Sequence, residues 1–292
     1  MLFSLNAIAA AAPERRRFIA APLAALALRP FAAGAAAQAE ELVVRYLGWA
    51  GVELRYGSNA VFIDPQLVFR DRPARKVATA PIESPASSRF ALLTHLHPDH
   101  FDPVALKQAL SDDGNVFAEA SMAAAVAAKG LAVTALAMWE PFSAGGFDGH
   151  DFLVVPVPAA DGFGDAQVSW VVRAAGRRFI HCGDTIWHGH WRRIGRAYGP
   201  FDIAFLPING FAQTDLVPST TVPYAMTPEL ALQAARLLGA ATVVPIHFGR
   251  APTATYVETD APERRFVDEA KRLEQTVRVL RAGDELRLAA IA

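Results

Sequence analysis

Thr94-His95-Leu96-His97-Pro98-Asp99-His100 is the stretch on which the reading of this chain turns. Three imidazoles and a carboxylate within six residues exceed what a folded core needs, because every buried polar ring must find a hydrogen-bond partner. Two divalent cations sharing a water would need such a set. The preceding Phe90-Ala91-Leu92-Leu93-Thr94 is a continuous apolar run, read as a buried strand that delivers His95 at its end. On extended chain His95 and His97 lie two apart and point the same way. Pro98 biases His97 toward extended geometry and turns the chain, so Asp99 and His100 approach from another side. One face can thus serve one ion and the turn a second. Two such ions can share a hydroxide and polarise the bond it attacks.

Further along, strands keep ending on candidate ligands. Phe179-Ile180-His181-Cys182-Gly183-Asp184-Thr185 places a carboxylate at a strand end, after a glycine that allows close approach. Val243-Val244-Pro245-Ile246-His247-Phe248-Gly249 does the same with an imidazole. Loops at strand ends are where rigid scaffolds display reactive groups. Alone, each has the plainer reading of a cap or surface residue; beside the first cluster, both become candidate ligands.

The rest of the chain is dense in strands. Leu42–Leu47, Val52–Tyr56 and Ala60–Asp64 read as a meander, and Phe152–Pro158, Val168–Ala174, Phe179–Cys182, Asp202–Pro207 and Thr242–Ile246 as buried strands. Asp102-Pro103 caps and opens a helix over Val104–Leu110, and Thr227-Pro228 opens another that Gly239 stops. Val277–Leu280 and Glu285–Leu288 look like a hairpin around Ala282-Gly283-Asp284. Helices entering between strand groups favour sheets faced by helices. No linker divides residues 40–292, which read as one domain.

The order His-x-His-x-Asp-His, Gly-Asp-Thr, Pro-x-His-x-Gly resembles the metallo-β-lactamase-fold hydrolases. It is most similar to their branch containing ascorbate-6-phosphate lactonase and N-acyl-phosphatidylethanolamine phospholipase D. The likeness runs from about Glu41 to the C-terminus. It implies an α/β (α+β) fold, a four-layer αββα sandwich with two divalent metal ions between the sheet edges, zinc first and manganese or iron as alternatives. By the resemblance, Asp99 and His100 join His247 at one ion, His95 and His97 serve the other, and Asp184 bridges. One position departs from the pattern: where the superfamily carries a third His for the first ion, Val157-Pro158-Ala159-Ala160-Asp161-Gly162 offers Asp161. Asp161 is then a carboxylate ligand, or one ion is weak or absent, or His188 or His190 substitutes. With Asp161 as ligand, two ions, three carboxylates and a hydroxide sum to a neutral centre, against one net positive charge with a His.

Several residues have plainer readings. Cys182, the single cysteine, excludes an internal disulfide and a cysteine-based zinc site and reads as core. His181 reads as structural and His150 as solvated. His188 and His190, between Trp187 and Trp191, read as substrate-pocket residues or as a packed loop. Arg250 reads as a partner for an anionic substrate group or as a surface salt bridge.

Composition sets the outer bounds. The 292 residues are 52% hydrophobic and 20% charged, which suits a large core. Formal net charge is −1, and no basic block outside the N-terminus would neutralise a phosphate backbone, so nucleic-acid binding is excluded. Arg15-Arg16-Arg17-Phe18-Ile19 leads into the apolar run 18–28, and Ala37-Gln38-Ala39 offers a small-x-small cleavage pattern. Residues 1–39 therefore read as a twin-arginine-like signal peptide of a bacterial periplasmic protein, with an Ala-rich extension or a retained anchor as alternatives. The run is too short for a spanning helix, so no stable membrane span is expected after signal removal.

These readings converge on a metal-dependent hydrolase acting on a small molecule. A metal-bound hydroxide is expected to attack an ester, lactone or phosphodiester, with ester or lactone favoured, while Asp99 orients the water or accepts its proton. The competing class is a non-catalytic metal- or ligand-binding protein whose one metal site Asp161 has weakened.

Overall fold

Residues 59–63, 179–181 and 243–246, which lead into Asp64, Asp184 and His247, are buried along their whole length, so they lie between two covering layers. In the computed structural model, residues 41–67, 77–145, 150–218 and 220–291 are described. The leader expected over residues 1–39 lies outside them. The described residues from Glu41 onward belong to one compact unit.

The first sheet holds β1 (Glu41–Gly48), β2 (Gly51–Tyr56), β3 (Asn59–Ile63), β4 (Ser88–Leu92), β5 (Val116–Glu119) and β6 (Val133–Leu136). The second holds β7 (Phe142–Ala144), β8 (Phe152–Pro158), β9 (Val168–Ala174), β10 (Arg177–His181), β11 (Ile203–Pro207), β13 (Thr242–Ile246) and β15 (Thr276–Val277). A two-stranded ribbon pairs β12 (Ala212–Gln213) with β14 (Tyr256–Val257), and β16 (Glu285–Ala289) returns to pair with β1. The sheet orders are β16-β1-β2-β3-β4-β5-β6 and β15-β13-β11-β10-β9-β8-β7.

Side-chain alternation then assigns the layers. Phe152, Val154, Trp170, Val172, Phe179, Phe205, Val244 and Ile246 face inward to the first sheet's Leu42, Val44, Leu54 and Phe62. Val155, Val157, Val171, Ile180, Ala204 and Val243 face out to α3 (Trp191–Tyr198), α4 (Pro228–Leu238) and α5 (Pro262–Arg272). The short helices α1 (Pro103–Ala109) and α2 (Ala123–Ala127) pack on β4, β5 and β6. The result is the expected α/β sandwich in layers αββα.

Local chemistry sets the ends of the predicted helices. Asp102 Oδ1 accepts from Val104 N (2.9 Å) and Ala105 N (3.1 Å) ahead of Pro103, and Thr227 caps α4 with Pro228 behind it. Gly239 stops α4 in the left-handed region at φ 68°. The C-terminal hairpin is a correction. Val277 pairs with Val243 in the second sheet, whereas Glu285–Ala289 pairs with β1 in the first. The Ala282-Gly283-Asp284 turn carries the chain from one sheet to the other, because each sheet has an open edge there and one strand fills each.

Candidate metal centre

Beyond β4 the chain stays extended through Leu93 and Thr94 and crosses to the second sheet. Val168 N donates to Thr94 O at 3.0 Å, and His95 bridges to Gln167. After His97 the chain turns, with the amides of His100 (2.9 Å) and Phe101 (2.8 Å) both donating to His97 O. That turn separates the side chains as the Pro98 argument expects. His95 and His100 are fully buried, and Asp99 and His97 are partly exposed.

Two groups of ligand-type atoms result. His95, His97, Asp161 and Asp184 each offer one atom within 4.8 Å of the others, and so do Asp99, His100 and His247. Asp184 reaches both: its Oδ1 lies 3.5 Å from His95 Nε2 and its Oδ2 lies 3.8 Å from His247 Nε2. His97 Nδ1 lies 3.6 Å from Asp161 Oδ2, and His247 Nε2 lies 3.6 Å from Asp99 Oδ2. Ligands at about 2.1 Å from one tetrahedral ion sit about 3.4 Å apart, close to these spacings. His95 Nε2, His100 Nε2, Asp161 Oδ2 and both ring nitrogens of His247 are buried with no hydrogen-bond partner in the protein. Buried polar atoms are rarely left so. Four of these atoms, counting His247 by the Nε2 that faces Asp99 and Asp184, gather in the two groups and fit a pair of divalent ions of the zinc, manganese or iron type.

Asp161 explains its own position. Its Oδ1 accepts from Phe163 N (2.6 Å) and Asp165 N (3.2 Å), closing the loop Asp161-Gly162-Phe163-Gly164-Asp165, while Oδ2 is left toward His97. Asp165 Oδ2 then meets His97 Nε2 at 3.0 Å, so two carboxylates bracket one imidazole. Gly162 is required here, since a Cβ would meet the Tyr224 carbonyl oxygen at 2.3 Å.

A second set of residues holds these side chains in place. Asp64, just past β3, takes His100 Nδ1 at 2.8 Å and Thr94 N at 2.8 Å, which turns His100 Nε2 toward the site. Gln167 Nε2 donates to Asp184 Oδ1 at 3.0 Å, and Thr94 Oγ1 lies 3.0 Å from His95 Nδ1. Asp64, Asp165 and Gln167 were not singled out from sequence. Asp64 carries the same signal as Asp184, a carboxylate closing an apolar strand. Trp49, Asp64 and His247 all have positive φ (55°, 44° and 57°). Left-handed backbone at non-glycine residues stores strain that the surroundings must hold. For His247 the restraints are its amide on Trp49 O (2.8 Å) and Glu258, whose carboxylate accepts from Gly249 N and Arg250 N (both 2.9 Å).

The electrostatics of the metal-free site follow from burial and proximity. Burial disfavours the charged His100 ring, but the Asp64 hydrogen bond and the carboxylates of Asp64, Asp184 and Asp99 raise its pKa to about 9. Burial also pushes the Asp99 carboxyl up, yet His247, His100 and His95 around it hold it well below the usual range. Burial and its histidine neighbours push His95 well down, and burial raises Asp184.

A cavity of about 260 Å³ opens over the two groups, with His97, Asp99, Asp184 and His247 on its floor. Arg250, Phe163, Phe211 and Tyr256 line it. Arg250 thus shares this cavity with Asp99, Asp184 and His247. His188 and His190 do not line this cavity. His188 stacks on Trp191 at 3.9 Å and its Nδ1 accepts from His190 N at 3.2 Å, so the pair builds the packed entry to α3. His181 is structural: Nε2 meets Ala50 O at 2.8 Å, and burial lowers its pKa to about 4. Cys182 is core, its thiol pushed up to about 12 by burial. His150 is half-buried, edge-on to Tyr56 at 4.6 Å, rather than solvated.

Comparison with known proteins converges on the same place. A family model described as a beta-lactamase superfamily domain matches residues 59–248. A UPF0173 metal-dependent hydrolase of Thermus thermophilus is 31% identical over 254 residues, covering 84% of this chain and 98% of the relative. Another from Thermococcus kodakarensis is 29% identical over 255 residues, covering 84% and 99%. Among solved structures, Igni18, a metallo hydrolase from the archaeon Ignicoccus hospitalis, superposes with a TM-score of 0.65 at 20% identity, covering 85% of this chain and 98% of that one. The last likeness is one of fold. Fold, ligand geometry and sequence relatives agree, and the chain belongs to the metallo-β-lactamase superfamily as a metal-dependent hydrolase.

Proposed function

We propose that the protein is a dinuclear hydrolase, zinc-loaded in the first instance, that cleaves an ester or lactone of a small molecule. The observation that carries this is Asp184, whose two oxygens part between the His95 and His247 groups while the facing nitrogens stay without protein partners. His95, His97, Asp161 and Asp184 would hold one ion, and Asp99, His100, His247 and Asp184 the other. Two such ions supply Lewis acidity and a water that loses its proton near neutral pH.

The chain's own residues do the rest. Asp99 is partly exposed on the cavity floor and is a carboxylate at neutral pH, so it can orient the attacking water by accepting its hydrogen bond. Asp165 and Asp64 fix which nitrogen of His97 and of His100 faces the site. Phe163, Phe211 and Tyr256 give the cavity an aromatic lining. A neutral centre and the lack of a basic cluster favour a carboxylic ester over a phosphodiester.

Elemental analysis of protein purified without chelators is the first test. About two ions per chain, with aryl-ester hydrolysis lost to a chelator and restored by metal, are expected. One ion per chain would overturn the dinuclear reading, and bis-aryl phosphate cleavage exceeding ester cleavage would overturn the bond assignment. We also propose export by the twin-arginine route to the periplasm, supported by Arg15-Arg16 and the apolar run behind them. Replacing both arginines by lysine should strand the protein in the cytoplasm; unchanged export would refute that route.

A further inference from the structure

We propose that Trp49 is a positioning residue of the metal centre, its indole face holding the His247 ring in place of a hydrogen bond. This rests on the metal-site reading above and names what keeps the second ligand group in register. The other three site histidines are fixed from behind. His95 Nδ1 lies 3.0 Å from Thr94 Oγ1, His97 Nε2 3.0 Å from Asp165 Oδ2, and His100 Nδ1 2.8 Å from Asp64 Oδ2. Such partners ordinarily orient a ligating imidazole. His247 differs. Its Nε2 faces Asp99 and Asp184, at 3.6 and 3.8 Å, and its buried Nδ1 has no hydrogen-bond partner among the described residues. The tilt of its ring is therefore set by packing.

Trp49 supplies that packing. The two ring centroids are 4.0 Å apart at an interplanar angle of 41°, closer than His100 (5.1 Å) or Phe211 (6.4 Å) comes to His247. At that separation the imidazole lies against the indole face. An imidazole bound to a divalent ion takes on part of its positive charge, and an indole face attracts positive charge better than the other aromatic side chains do. The contact thus tightens when the ion is held, which an aliphatic neighbour would not provide. Trp49 is itself fixed. It is fully buried in the turn between β1 and β2, at φ 55°. Its carbonyl oxygen accepts from the Tyr46 hydroxyl and from His247 N, both at 2.8 Å, and His181 Nε2 meets the next carbonyl, Ala50 O, at 2.8 Å. One residue of the first sheet thereby holds both the backbone and the ring of a ligand carried by the second. From His247 the ring contacts run through His100 to His95 (4.0 Å), His97 (4.6 Å) and Phe163 (5.6 Å), so Trp49 stands at one end of a row of site rings. A change at Trp49 is therefore felt first by the Asp99, His100 and His247 group, and by the other group only through it.

Zinc titration against a competing chelator, with the metal-free Tm recorded for each variant, tests this without reference to activity. Trp49→Leu occupies much of the same space without an aromatic face. It should weaken one ion about 10–100-fold, the usual effect of losing a ligand's support, and leave the other within about threefold. Trp49→Phe, which keeps a ring at the position, should recover most of that loss. Phe266→Leu, in the outer core, should lower Tm and weaken neither ion. Unchanged affinity in Trp49→Leu, equal losses in Trp49→Leu and Trp49→Phe, or the same loss in Phe266→Leu would each overturn the proposal. Should Trp49→Leu not fold, 4,5,6,7-tetrafluorotryptophan at position 49 decides, since it keeps the shape and drains charge from the ring face. It should weaken one ion about fivefold, and unchanged affinity overturns the role. The unsubstituted protein reports on the other reading in the same titration. A single ion per chain overturns the dinuclear reading, and the Trp49 role then stands or falls on whether that ion weakens in Trp49→Leu.

Discussion

His100 has one ring nitrogen on Asp64 and the other turned into the site, so its position depends on a residue that touches no ion. Asp64→Asn should weaken metal affinity about 10–100-fold, the usual effect of losing such a support, as read by competitive metal titration. The same pair sets a pH dependence. In the metal-free protein His100 binds its proton more tightly folded than unfolded, with a pKa of about 9 against 6.5. Its stabilising contribution is therefore complete below about pH 6.5 and is lost as pH rises through about 9. An incoming ion must displace that proton, so metal affinity should rise from pH 7 to 9 with measurable proton release. A flat profile would contradict the His100–Asp64 assignment. At Asp161, replacement by His restores one positive charge and should tighten inhibition by inorganic phosphate at equal metal content. His95, His97, Asp99, His100, Asp184 and His247 were legible because ligand types were packed together or set at strand ends. Asp64 and Asp165 were not, being single carboxylates whose partners lie 36 and 68 residues away. Of the two readings of His188 and His190, the geometry fits the packed loop better: neither lines the cavity, and His188 stacks on Trp191.

The loop from Asp161 to Asp165 is the element on which most depends. It contributes a carboxylate toward one group, a second carboxylate behind His97, and the Phe163 wall. Gly162→Ala would drive a Cβ to within 2.3 Å of the Tyr224 carbonyl oxygen, so the loop must move. We expect metal content to fall from about two ions per chain toward one; an unaltered variant would show the loop to be dispensable. The apolar runs of β8, β9 and β13 are legible to the residue, whereas β4 and β10 start two residues before their apolar runs, and β5, β6 and β7 carry too short an apolar pattern to stand out. Thr227 and Gly239 gave α4 both ends, and Thr227→Ala should cost about 1 kcal/mol in urea unfolding. The C-terminal pair failed because sequence shows that two runs are strands but not which edge each joins.

Across the whole molecule the ligands come from both sheets. The first sheet sends the segment after β4, and the second sends Asp161, Asp184 and His247 from the ends of β8, β10 and β13. Ions bound there tie the two sheets at one edge. Each ion at a hundredfold excess over its Kd adds about 2.7 kcal/mol. Chelation should therefore lower Tm by several degrees per ion, and loss of metal without a shift in Tm would show that the sheets hold without them. The pairing of β16 with β1 has a consequence for how the chain is made. β1 lies between β16 and β2, yet β16 leaves the ribosome after every other described strand. Throughout synthesis the row of backbone groups from Glu41 to Arg45 waits without its partner, an open template for another nascent copy. The polysome is thus where this fold is most exposed to mispairing, and early release of a chain lacking residues 285–291 should yield aggregates rather than a slightly smaller enzyme.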